Sequence, residues 1–383
     1  MKNEVYFENY NKINDFSFVF FLKNIFLVFL SFFNLIFFRK FDKAIYFIAV
    51  NNYNKNLIDS RSRAYVKESD LVNSLNFIRC NNFLTCLKIF FIYPNVIFIQ
   101  SFYYFYYYLC LLKNNKNYKL LSINSERFQQ KVIFLFFKRH RINNFVSIDD
   151  YRIVYNFLYV CKKLKVNSVG YMHGRFSRFQ NTLKYFQFDK YYVWSNFFKK
   201  SLINFFPKYK NKEIIVENFS KVYSFPFFRP HLKNNIYNVL FILEKNIDYD
   251  LIKKYLLSLS KKKVVIFIKP RINEEINSTI KDLLSIKNIK LVKSSNSFLN
   301  ALKNNNIMAV IGSNSTALLE CSYFNIYPIM IKSGNNYSRD FISNKLVFYF
   351  PKHKNFGDHF IKFIQSFKNK KRLNNIRKKI WLN

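Results

Sequence analysis

Along this chain, short β-branched runs of hydrophobic residues alternate with longer amphipathic stretches. The runs predict strands at Ala44–Val50, Val96–Gln100, Asn144–Ile148, Val166–Met172 and Tyr191–Trp194, with helical stretches such as Tyr151–Leu164 between them. The segment from Ser224 to Pro230 holds two of the seven prolines and predicts a linker. Beyond it, strands are predicted at Asn238–Leu243, Val264–Ile268, Ile289–Val292, Ile307–Ile311 and Tyr327–Ile331, again separated by helices. Such alternation implies parallel sheets covered on both faces. The expected fold is therefore α/β, with two Rossmann-like domains, 1–228 and 229–360, facing across a cleft. A basic helix over 361–383 follows, with seven Lys or Arg between Lys368 and Lys379.

Two apolar segments bear on membrane contact. Phe16–Phe38 carries one charge, Lys23, and is long enough to cross a bilayer. Ser17, Asn24 and Ser31 recur every seven residues there, with Lys23 and Asn34 close by. That polar stripe favours an interfacial or core helix over a lipid-facing span. Ile89–Leu112 has no charge, but Pro94-Asn95 interrupts it. Neither segment has the form of a signal peptide. A cytoplasmic protein lying on the inner face of the cell membrane is expected.

Composition narrows the function classes. Half the residues are hydrophobic and 21% are aromatic, ample for two cores. A formal charge of +40 suggests an anionic partner. The lysines are dispersed, and no zinc-finger, RRM or KH signature accompanies them, so an anionic membrane surface is expected and nucleic acid is not. Cys80, Cys86, Cys110, Cys161 and Cys321 form no CxxC pair, which argues against a zinc site or a disulfide framework. No metal-ligand cluster, Walker A or GxGxxG pattern is present. His140, His231, His353 and His359 stand alone, and Trp194-Ser195 reads as architecture.

Only five glycines occur in 383 residues, and three of them mark predicted strand ends: Gly170 and Gly174 around His173, and Gly312 before Ser313, Asn314, Ser315 and Thr316. Ligands of open α/β sheets bind beyond the carboxyl ends of strands. His173 is a candidate general base, with Arg175 beside it and Asp149 or Asp150, at the end of the preceding strand, to orient it. Either aspartate could instead simply cap the helix after it. The Gly312–Thr316 turn precedes a helix, so its amides and hydroxyls could hold a phosphate, with Glu320 one turn on for ribose hydroxyls. The bland alternative is an ordinary N-cap. Lys269 and Arg271, around Pro270, end another predicted strand and could add cationic charge.

A strand ending in His173-Gly174, another ending in Lys269-Pro270-Arg271, and a Gly-Ser-Asn-Ser-Thr turn before Glu320 together resemble bacterial surface-polysaccharide transferases of GT-B architecture. CDP-glycerol glycerophosphotransferases, capsule-type Kdo transferases and bacterial sialyltransferases are the families in view. The resemblance covers about Asn144 to Ile331. It implies a catalytic His173 and donor-phosphate contacts at Ser313, Ser315 and Thr316. It implies a CMP- or CDP-linked donor as substrate and no cofactor, with a glycan or lipid-linked acceptor. Many members carry a histidine where this chain has Lys269-Pro270-Arg271, and arginine cannot serve as an acid near neutral pH. The expected activity is metal-independent transfer of a sugar or polyol phosphate to a cell-envelope glycan. The alternative is a non-catalytic, basic, membrane-associated envelope-assembly protein with a degenerate transferase fold.

Overall fold

The computed structural model describes residues 17–37, 40–48, 68–80, 82–113, 117–147, 153–172, 174, 176, 181–217, 219, 227–228, 230–231, 236–244, 247–270, 276–293, 297–332 and 339–382. The backbone divides into two compact units, one of 1–194 with 198–223 and one of 195–197 with 224–383.

The first unit is built on a seven-stranded parallel sheet. In chain order its strands are β1 (Lys43–Ile48), β2 (Leu75–Arg79), β3 (Val96–Ile97), β4 (Asn144–Ser147), β5 (Asn167–Tyr171), β6 (Lys190–Val193) and β7 (Glu213–Val216). They lie in the order β3-β2-β1-β4-β5-β6-β7. The core is filled largely by rings, as the aromatic composition requires. Phe145 stacks on Phe157 at 4.8 Å, and Phe77 meets Phe157 edge-on at 5.0 Å. Phe77 also touches Phe136 and Phe137 of the long helix Tyr118–His140. His140 is buried against Phe41 and Phe136 as a core residue.

The second unit repeats the plan with six parallel strands: β8 (Tyr237–Ile242), β9 (Val264–Lys269), β10 (Ile289–Leu291), β11 (Ala309–Gly312), β12 (Tyr327–Ile331) and β13 (Phe348–Phe350). Their order is β10-β9-β8-β11-β12-β13. β11 and β12 are buried throughout, as parallel strands covered on both faces must be. The strand order reverses between β1 and β4 in one sheet and between β8 and β11 in the other. At such switch points, adjoining loops diverge and leave room for a ligand.

Helix α1 (Phe18–Phe37) presents its stripe in an unexpected sense. Asn24 and Ser31 turn inward and are buried. Ser31 Oγ donates to Leu27 O and accepts from Phe98 N at 2.9 Å, while Asn24 donates to Phe20 O. The outward face carries Phe18, Val19, Leu22, Phe26, Phe29 and Phe33, all exposed. Among the described residues, no helix is long and apolar enough to cross a membrane.

The basic tail is packed onto the second unit. The guanidinium of Arg372 lies over the Phe348 ring at 4.6 Å and donates to Val347 O. Arg377 lies over Phe227 at 4.7 Å, and Lys379 donates to Asn344 O.

The scarcity of glycine also has a structural account. Among the described residues other than glycine, left-handed backbone falls to Arg141, Lys165, Asn306, Asn325, Lys345 and Asn355, with φ between 48° and 60°. Gly170, Gly312 and Gly357 are not left-handed, and each stands where an added Cβ would collide with a neighbour. Glycine here makes room for close approach.

Candidate functional site

At the reversal in the second sheet, three adjacent strands end side by side. Ile242 of β8 pairs with Lys269 of β9, and Phe241 pairs with Ile311, the residue before Gly312. Lys269, the last residue of β9, is 7% exposed, and its Nζ has no hydrogen-bond partner among the described residues. Burial depresses its pKa, because an ammonium without water or a counter-charge is disfavoured. Backbone pairing continues past the strand, with Leu243 N donating to Lys269 O at 3.0 Å. An unpartnered buried cation is costly to fold and is conspicuous for that reason. Arg271 lies outside the described residues.

The turn after β11 already holds an anion, and that anion is Glu244. Its Oε1 accepts from Ser313 N at 2.9 Å and from Asn314 N and Ser315 N at 3.0 Å each. Its Oε2 accepts from Ser313 Oγ at 2.7 Å. Gly312 makes this possible, since a Cβ there would lie 2.8 Å from Glu244 Oε1. From the sequence, these amides and the Ser313 hydroxyl are expected to face a donor phosphate. The structure gives them to a carboxylate of the chain itself.

Ser315 Oγ accepts from Ala317 N at 3.2 Å, a serine turn just ahead of the helix, whose N-cap position is Thr316. Thr316 O accepts from Glu320 N, while Glu320 itself is 1% exposed within the helix Ala317–Tyr323. Asn314 is half-buried. Glu244 belongs to none of the motifs found in the sequence. Its signal was positional: a lone acid two residues past the first strand of the second sheet, at the point where strand order reverses.

In the first unit, Asp149, Asp150, His173 and Arg175 lie outside the described residues, and Gly174 is half-buried. β4 and β5, which lead to them, are adjacent and in register, with Ser147 opposite Gly170. Gly170 lies within β5. A Cβ there would meet Phe188 Cδ2 at 2.6 Å and the Tyr191 ring at 2.7 Å, so packing explains this glycine. Tyr171, stacked on Tyr192 at 4.6 Å, has a pKa pushed above the ordinary phenol range by burial and then by that neighbour. Among the described residues, no three His, Cys, Asp or Glu side chains converge as metal ligands would.

No protein-family model matches the chain, and no curated protein matches it by sequence. Solved structures do. The UDP-GlcNAc 2-epimerase of Neisseria meningitidis, bound to UDP-GlcNAc, is 11% identical, with 88% of this chain and 97% of that one aligned at a TM-score of 0.54. MnaA of S. aureus, solved with UDP, is 9% identical over 88% of this chain and 91% of its own, at 0.52. MurG of Acinetobacter baumannii is 8% identical over 88% and 94%, at 0.51. At these identities the likeness concerns the fold: the chain has a GT-B architecture of two Rossmann-like units.

Proposed function

We propose that this chain is a glycosyltransferase that moves a sugar, or a polyol phosphate, from a nucleotide-activated donor to a cell-envelope glycan or a lipid-linked acceptor. The observation that carries the reading is Lys269. A buried ammonium with no hydrogen-bond partner among the described residues, at the carboxyl edge of a parallel sheet beside a switch point, is the group an anionic ligand would neutralise.

In the proposed reaction, His173 takes the proton of the acceptor hydroxyl, with Asp149 or Asp150 fixing its tautomer. The acceptor oxygen bonds to the anomeric carbon, or to phosphorus in the polyol-phosphate case, as the bond to the nucleotide phosphate breaks. The electron pair passes to the leaving phosphate oxygen, where Lys269 and Arg271 offset the charge. Asn314 and Thr316 are proposed to meet the donor through their side chains. The resemblance implies a CMP- or CDP-linked donor, and two of the similar structures contain uridine nucleotides, so pyrimidine nucleotides are the class to test.

We place the protein on the inner face of the membrane, with the exposed face of α1 against the bilayer and the tail lysines adding charge. The test is release of free nucleotide from CMP-, CDP- and UDP-linked donors supplied with bacterial envelope lipid extract. Release that depends on the extract supports transfer. A nucleotide sugar isomerised without release, or no turnover of any donor, would overturn it.

A further inference from the structure

The chain brings its own anion to the turn that a transferase reading reserves for the donor. Glu244 reaches from the end of β8 to the turn after β11, and its carboxylate takes three backbone N–H groups on one oxygen and a hydroxyl on the other. A carboxylate so loaded is held by charge-assisted bonds, the strongest hydrogen bonds a neutral backbone offers. Gly312 leaves the space for it. A phosphate seeking the same amides must expel the carboxylate or sit beside a like charge. Lys269, one strand to the other side of β8, has no hydrogen-bond partner at Nζ among the described residues.

We propose that Glu244 is a positioning residue of the donor site: it permanently fills the amide cradle of the Gly312–Ser315 turn and thereby directs the donor phosphate away from the turn, toward Lys269. The assignment rests on the donor-binding reading above. It divides the edge of the sheet by chemistry. The β9 end is cationic and takes phosphate. The turn after β11 is acidic and faces the hydroxyl-bearing part of the donor, because Glu244 Oε2 uses only one of its acceptor positions on Ser313 Oγ.

The experiment uses the full chain, with hydrogen exchange at the Ser313–Ser315 amides and titration with UDP, CDP and CMP. In the wild type, inorganic phosphate should leave those amides unchanged. Protection by phosphate in the wild type would show that the carboxylate is a displaceable plug and overturn the proposal. Glu244→Ala should speed exchange and weaken nucleotide binding by roughly tenfold or more, the change that losing one charge-assisted hydrogen bond produces. Formate, a free carboxylate of the right size, should restore much of both.

Glu244→Gln keeps an oxygen for the backbone N–H groups, so exchange should stay near wild type, while its neutral amide nitrogen cannot accept from the donor's hydroxyls and nucleotide binding should weaken, a split that simple loss of packing would not give. Unchanged exchange in Glu244→Ala, or tighter nucleotide binding by either variant, refutes the assignment. If Glu244→Ala does not fold, the wild-type phosphate result and Glu244→Gln decide it. A wild type that binds no nucleotide would sink the transferase reading, while exchange and formate rescue would still report where Glu244 sits.

Discussion

Replacing Lys269 by methionine separates the needs of folding from those of ligand binding. The two side chains have similar length, so the substitution removes a charge with little change of shape. Leaving a polar group buried without a partner costs about 1–3 kcal/mol in protein mutational data. Lys269→Met should therefore stabilise the second unit by about that amount, and each kcal/mol raises Tm by about 2–4 °C for a domain of this size. The gain should depend on pH. The folded pKa of Lys269 lies below the unfolded value, so the penalty is complete below the folded pKa. It fades as pH rises through the folded pKa toward the unfolded one, and the advantage of methionine should fade with it. A bound nucleotide should raise Tm in the wild type by mass action but not in the variant. Differential scanning calorimetry between neutral pH and pH 10, with and without UDP, CDP or CMP, reads both effects. A variant less stable than the wild type at neutral pH would mean that the ammonium has a partner. Unchanged nucleotide binding would mean that Lys269 is not a donor ligand.

Three further outcomes follow from particular residues. His173→Ala should abolish transfer and leave nucleotide affinity nearly unchanged; wild-type turnover would show that the base is elsewhere. Gly170→Ala should destabilise the first unit by about 1–3 kcal/mol through overpacking against Phe188 and Tyr191, read as a lower urea midpoint, and an unchanged midpoint would contradict the packing account. Phe26→Glu with Phe29→Glu, on the exposed face of α1, should reduce sedimentation with anionic vesicles and leave the thermal midpoint unchanged, whereas undiminished sedimentation would remove that face from the membrane account.

The alternation of strands and helices was legible, and Tyr327–Ile331 emerged with its predicted bounds. Short strands were harder. β2 has five residues and carries a buried Asn76, whose amide donates to Leu71 O, so its hydrophobic run is broken at the second position. β7 lies at an edge and is only partly buried, and β13 is three residues long. The strand expected at Val96–Gln100 shrank to Val96–Ile97, because the apolar run from Ile99 enters a helix that continues to Leu112. Periodicity cannot separate a buried strand from a buried helix in such a run.

The polar stripe of α1 was visible, but its direction was not. Asn24 and Ser31 make short-range bonds and fit the interior, so the apolar side is the one left outward. The cationic tail could likewise be counted but not placed, since Arg372 and Arg377 are held by rings distant in sequence. Glu244 escaped notice because its partners lie roughly 70 residues away and meet it only through the register of β8 and β11. The turn itself was legible as an anion-holding element; which anion it holds was written elsewhere in the chain.

Titration of the purified protein with CMP, CDP, UDP and GDP, followed by hydrogen exchange, tests the central claim most directly. The account predicts that a pyrimidine nucleotide binds and protects the backbone at the ends of β9 and β11, with the effect lost in Lys269→Met. No binding by any of the four, or protection confined to other parts of the chain, would contradict it.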